Sequence, residues 1–229
     1  MKFPYLWIFG VPIIAVWASF VFVLVIRPKN KKNIKLLLSF SGAFLLALTF
    51  FELLPEVYED NDPKVIAVLI LVGILLQVFL EFFSKGAEHG HMHFNLKENK
   101  FPLLLFLSLS LHALIEGTPV DVGNSIIYGI IIHKIPVAVI LSIFLINSKM
   151  KTSFVLLFIG AFSLMTPLGS FISIKSPWVD NYGHLLTALA IGVFLHISTI
   201  ILFESSQGHS FNLRKIVVII LGVGIAYLV

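Results

Sequence analysis

An all-α integral membrane protein with eight transmembrane helices is what this sequence predicts, on three observations. Hydrophobic residues fill 58% of the 229 positions and charged residues only 12%, with a mean hydropathy of +1.01. A soluble domain carries about 25% charged residues. The apolar residues gather into eight runs, each of the roughly 17–25 residues that cross a hydrocarbon core as a helix. The runs are near-continuous and lack the two-residue alternation of a membrane β-barrel.

The first run, at about 4–26, is longer than the apolar core of a signal peptide and lacks a small-x-small cleavage site, so it reads as a span. Runs at about 34–54, 64–84, 101–118, 124–147, 152–174, 182–204 and 213–229 supply the others. Residues 1–229 therefore read as a single transmembrane domain containing one polar inner loop, 85–100. Cysteine is absent, which excludes disulfides and thiolate metal ligands. The formal charge of +4 comes from basic residues in short connections, so nucleic acid is not an expected partner.

Those basic residues set the orientation. Of the 16 lysines and arginines, Arg27, Lys29, Lys31, Lys32, Lys35, Lys85, Lys97, Lys100, Lys149, Lys151, Arg214 and Lys215 fall in alternate connections. Lys2, Lys64 and Lys175 fall on the opposite side, and Lys134 lies within a run. The positive-inside rule then places both termini outside.

Two loops stand out. Glu56, Glu59, Asp60 and Asp62 make the outer connection after the second run acidic, either to attract cations or simply as a solvated loop before Pro63. The inner loop reads Glu88-His89-Gly90-His91-Met92-His93, and its three alternating histidines either capture metal or have no metal role. A faint internal echo pairs Gly42-Ala43-Phe44-Leu45 and Thr49 with Gly192-Val193-Phe194-Leu195 and Thr199. The second and seventh runs cross in opposite directions, as two inverted three-helix repeats flanking a central fourth and fifth helix would require.

The chemistry concentrates in those two central runs. On a helix, His112 and Glu116 lie one turn apart on one face. His112 is about 16 Å into its run from Phe101, and His133 about 14 Å into the next from Asn124, so both imidazoles fall near the midplane. Pro136 leaves a backbone carbonyl unbonded beside His133, allowing a kink. Ionisable groups are expensive within a membrane and mark a pathway or a partner. His112, Glu116 and His133 together make a candidate metal centre on a transport path. The alternative without metal is a Glu116–Lys134 ion pair joining two helices. Two imidazoles and a carboxylate are borderline ligands that suit Zn²⁺, Fe²⁺, Mn²⁺ or Co²⁺. Imidazole ligates only when neutral, so acid is expected to compete with metal. Glu52, His196 and Glu204 are further candidates for the pathway, although packing and interfacial roles explain them as well. Two other readings stay open: an intramembrane zinc-dependent hydrolase, in which bound Zn²⁺ activates water, and a haem protein ligated by His112 and His133.

His112-x-x-x-Glu116-Gly117 followed by His133-Lys134-Ile135-Pro136 resembles the ZIP (Zrt/Irt-like) family of divalent metal transporters. Glu52-Leu53-Leu54-Pro55-Glu56 is similar to that family's Leu-Leu-Pro-Glu signature, and Thr166-Pro167-Leu168-Gly169 to its Glu-Pro-x-Gly. The resemblance extends over the whole chain, and it implies that His112, Glu116 and His133 are metal ligands. It also implies uptake of a divalent metal, zinc foremost, into the cytoplasm with no permanently bound cofactor, and a homodimeric assembly. Family members with a two-metal centre usually have a polar residue where this chain has Ala113, a ligand at Lys134, a carboxylate at Val137 and a glutamate at Thr166. The expectation is a single-metal site in which Lys134 stands in for the second cation and pairs with Glu116.

Overall fold

Apolar runs in lipid must satisfy their backbone groups internally, which leaves helices or closed barrels. The computed structural model describes residues 3–28, 31–86, 101–121, 125–177, 179–204 and 213–229, and the regular elements among them are helical throughout. In order they are α1 (Phe3–Ile26), α2 (Lys31–Leu48), a π-helical turn (Thr49–Leu53), α3 (Leu54–Tyr58), α4 (Pro63–Ser84), α5 (Leu103–Glu116), α6 (Ile126–Asn147), α7 (Thr152–Lys175), α8 (Val179–Glu204) and α9 (Leu213–Leu228). The α2, π-helical and α3 segments follow one another without a break, so the second predicted run is one rod, drawn out to Tyr58.

Local chemistry sets the ends. Asp62 accepts a hydrogen bond from the Lys64 amide at 2.8 Å and Pro63 occupies the first turn, which together open α4. Lys85, at φ 49°, closes it in the left-handed conformation. Pro102 and Gly117 bracket α5, and Pro119 disfavours helical geometry at Thr118.

Six helical stretches are long and apolar enough to cross a membrane: Leu6–Ile26, Asn33–Tyr58, Pro63–Ser84, Ile126–Asn147, Thr152–Lys175 and Asn181–Phe203. This is an all-α, multi-pass integral membrane protein. The two remaining predicted spans, α5 and α9, have 14 and 16 residues, hence lengths of about 21 and 24 Å against a core of about 30 Å. Large apolar side chains lie exposed on the outer faces, among them Leu71, Leu75, Phe79 and Phe82 on α4 and Phe203 on α8. Lipid, not water, suits such a surface.

The interior holds two apolar cores. One joins Phe44, Leu45 and Leu48 of α2, Ile66 and Ile70 of α4, Ile191, Phe194 and Ile197 of α8 and Ala226 of α9. The other joins Val16 and Phe20 of α1 with Phe158, Ile159 and Phe162 of α7. The central pair belongs to both. Ile115 of α5 and Ile126 and Ile130 of α6 enter the first core, while Leu105 and Leu109 of α5 and Leu141 and Leu145 of α6 enter the second. Around this pair, α4 packs along α8 and α9 along α2, while α1 packs on α6 and α7 on α5.

Two close backbone approaches fix the helix spacing. A Cβ on Gly169 would strike the Leu114 carbonyl, and one on Gly117 the Thr166 carbonyl, so both glycines are needed for α5 and α7 to touch. Gly73 of α4 and Gly192 of α8 meet in the same way.

Candidate metal centre

Helix α5 carries His112 and Glu116 one turn apart, and α6 carries His133. Among the described residues these three bring a ligand atom each to within 4.8 Å of one another. The rings of His112 and His133 stand nearly perpendicular, with centroids 6.3 Å apart and an interplanar angle of 85°. All three residues are buried, at 2%, 1% and 1% exposure. They sit where the two apolar cores meet: Ala113, beside His112, belongs to one core and Ile115 to the other.

Glu116 divides its two oxygens. Oε2 accepts a hydrogen bond from Lys134 Nζ at 2.7 Å, an ion pair with both side chains buried. Oε1 is buried with no hydrogen-bond partner. A buried acceptor left without a donor costs about 1–3 kcal/mol, and more when charged. A divalent cation beside the two imidazoles would remove that cost, and the donor set of two nitrogens and one oxygen suits it. The geometry thus accommodates both the ion pair and a metal, because each uses a different oxygen.

Helix α7 steadies this arrangement. The Thr166 hydroxyl donates to the Ala113 carbonyl at 3.0 Å and lies 3.4 Å from Glu116 Oε2, while Ser170 donates to the Gly117 carbonyl at 2.9 Å. Lys134 Nζ lies 5.1 Å from the centroid of the Phe162 ring, within cation–π range. Thr166, noted in the sequence only as a departure from a two-metal pattern, touches both α5 and the carboxylate. Phe162 carried no sequence signal beyond its apolar periodicity.

The other candidates lie apart from the centre. Leu48 packs against Gly129, one turn of α6 before His133, and Glu52 comes one turn after Leu48 on the π-helical segment. Glu52 therefore stands toward the N-terminal end of α6, with Oε2 buried and without a hydrogen-bond partner. Nearby, a cavity of about 470 Å³ is lined by polar residues that include Glu56, Asn61, Thr118, Asp121 and His184. Thr118 lies only two residues beyond Glu116, so this cavity approaches the centre from the C-terminal end of α5.

His196 pairs across helices with Glu81, its Nε2 2.8 Å from Oε2. Glu81 was missed in the sequence, although a lone acid in an apolar run is the kind of signal that membrane cost makes conspicuous. Glu204 ends α8, and its side chain lies outside the described residues, as do His89, His91 and His93.

Fold and site together define an integral membrane protein built around a buried intramembrane His–Glu–His cluster. Residues 96–229 match the family described as ZIP Zinc transporter, which covers more than half of the chain. The chain belongs to the ZIP family, one of transporters and not of enzymes. It is 32% identical over 124 residues to "Zinc transporter ZIP1" of Danio rerio, covering 49% of this chain and 41% of that protein. It is 30% identical over 150 residues to "Protein zntD" of Dictyostelium discoideum, covering 56% of this chain and 22% of that one. It is 28% identical over 155 residues to "Zinc transporter ZIP1" of Takifugu rubripes, covering 61% and 50% respectively. The chain thus spans half or less of the length of the curated relatives it matches.

Proposed function

We propose that this protein carries a divalent transition metal, zinc foremost, across the membrane into the cytoplasm through one ion site formed by His112, Glu116 and His133. The observation that carries this reading is the convergence of three buried ligand atoms within 4.8 Å, on two helices. Family membership and two relatives named as zinc transporters support the choice of zinc and weigh against the hydrolase and haem readings. Lys134 supplies the fixed positive charge that a second cation would otherwise bring to Glu116, so the site takes one ion. Three protein ligands leave a coordination position open, which suits release better than a closed four-ligand site.

Movement is by alternating access. The site sits at the junction of two apolar cores, and displacement of one core against the other would expose it to each side in turn. On this reading the chain crosses eight times with both termini outside, α5 and α9 included. Helix packing supports two inverted three-helix repeats: α4 on α8 answers α9 on α2, and α1 on α6 answers α7 on α5. A homodimer is proposed from the family resemblance alone. A membrane potential negative inside favours uptake by about 2.3 kcal/mol per charge at 100 mV.

The test is ⁶⁵Zn uptake in proteoliposomes with loop 87–100 deleted. His112→Ala, His133→Ala and Glu116→Gln should each abolish saturable uptake; unchanged kinetics in all three would overturn the assignment.

A further inference from the structure

We propose that a cavity between the C-terminal ends of α1 and α6 binds the phosphate headgroup of an anionic phospholipid. The cavity measures about 440 Å³ and is lined by Val23, Arg27, Pro28, Ile143, Ile146 and Asn147. That volume falls within the roughly 300–1,000 Å³ of small-ligand sites. The inference stands apart from the transport reading and holds whichever ion the protein carries. Helix geometry sets the level of the cavity. Ser19 of α1 donates to the Ile135 carbonyl of α6 at 3.4 Å, and further along Val23 and Ile143 share the cavity, so the two helices run parallel and end together. They have 24 and 22 residues, hence lengths of about 36 and 33 Å against a hydrocarbon core of about 30 Å. Arg27 directly follows α1 and Asn147 closes α6, so both polar side chains lie at headgroup depth. Val23, Ile143 and Ile146 line the cavity on its hydrocarbon side. Such a wall fits an amphiphile and not a free ion.

The polar end of the cavity suits phosphate. Arg27 and Asn147 are exposed, and among the described residues no ion pair or side-chain hydrogen bond holds either of them. Arg27 closes α1 at φ 48°, in the left-handed region where glycine is the usual residue, so the turn itself does not call for arginine. A guanidinium is a planar fork that grips phosphate through two parallel hydrogen bonds, and the Asn147 carboxamide can donate a third. The C-terminal ends of α1 and α6 each carry about half a negative charge, which together would offset Arg27 alone. Residues 27–35 and 147–151, however, hold seven basic residues and no acid, so the local field stays positive. On the proposed orientation this end faces the cytoplasmic leaflet, whose anionic lipids attract basic segments. An arginine that only snorkelled to the interface would need no cavity shared with a second helix.

The test is native mass spectrometry of the full chain in detergent, offered dioleoylphosphatidylglycerol and dioleoylphosphatidylcholine at equal concentration. The starting protein should retain one phosphatidylglycerol per chain in preference to phosphatidylcholine. Arg27→Gln should bind it about ten-fold more weakly or worse, and Arg27→Lys, which keeps the charge without the fork, should fall between. Lys35→Gln removes a charge at the same end but outside the cavity, and should retain the lipid. In lipid-free detergent Arg27→Gln should melt with the starting protein, whereas phosphatidylglycerol should raise the melting temperature of the starting protein alone. Asn147→Ala leaves the arginine in place and should weaken retention several-fold, a second reading should Arg27→Gln fold poorly. Equal retention of phosphatidylcholine, equal loss in Arg27→Gln and Lys35→Gln, or no retained lipid in the starting protein would reduce the contact to bulk lipid and overturn the proposal. Displacement of the lipid by millimolar inorganic phosphate would show a site for the free anion and overturn it as well.

Discussion

Replacing Lys134 by methionine removes the charge of the buried ion pair while keeping most of the side-chain volume. Lys134 and Glu116 are 3% and 1% exposed, and their charged atoms are 2.7 Å apart. Breaking such a pair from one side leaves an uncompensated buried charge and costs about 3–5 kcal/mol. The Thr166 hydroxyl, 3.4 Å from Glu116 Oε2 and already donating to Ala113, offsets little of that. At about 2–4 °C per kcal/mol for a chain of this size, the metal-free variant should melt roughly 6–20 °C below the parent. Zinc should then restore more stability to the variant than to the parent, because the ion supplies the missing positive charge as well as its own binding energy. Thermal unfolding in detergent, with and without saturating zinc, reads both quantities. A variant that melts with the parent without metal, and gains no more from zinc, would refute the idea that Lys134 and the ion share one carboxylate.

Thr166→Val should cost about 1 kcal/mol by removing the hydrogen bond to the Ala113 carbonyl, measurable by thermal unfolding. Gly169→Leu should cost at least the roughly 1–3 kcal/mol of overpacking and abolish ⁶⁵Zn uptake, since its Cβ would strike the Leu114 carbonyl and part α5 from α7. Gly224→Ala, with nothing within 4 Å of the added carbon, should melt and transport like the parent. Glu52→Gln should raise the KM for zinc uptake with little change in maximal rate, because on the proposed route the ion passes that carboxylate before it reaches the centre.

The spans were legible because lipid demands long, uninterrupted apolar runs, and predicted ends such as 64–84 and 152–174 fall close to Pro63–Ser84 and Thr152–Lys175. The extension of the second rod to Tyr58 was not, since the apolar run stops at about 54, whereas α3 follows the π-helical turn and carries the helix past Pro55 and Glu56. The His112–Glu116 pairing followed from helix geometry alone, as i and i+4 share a face. His133 was expected from consecutive helices lying side by side, but α5 packs chiefly on α7 and α6 on α1 and α2, and His133 joins the pair through its side chain. Glu81 and His196 are 115 residues apart and meet only because α4 lies against α8, a tertiary fact that local spacing does not encode. The division into two cores that meet at the metal centre was equally hidden, because α5 and α6 are apolar along their whole length and nothing local marks where one core gives way to the other.

On the proposed function, a single divalent ion is held by two imidazoles and one carboxylate inside the membrane. Zinc-edge X-ray absorption of the full chain loaded with one equivalent, with His89, His91 and His93 replaced by alanine, tests it most directly. The proposed site should give a shell of nitrogen and oxygen at about 2.0–2.1 Å with imidazole scattering from two rings, falling to one ring in His133→Ala. An oxygen-only shell, or a two-ring signal that survives both His112→Ala and His133→Ala, would contradict it.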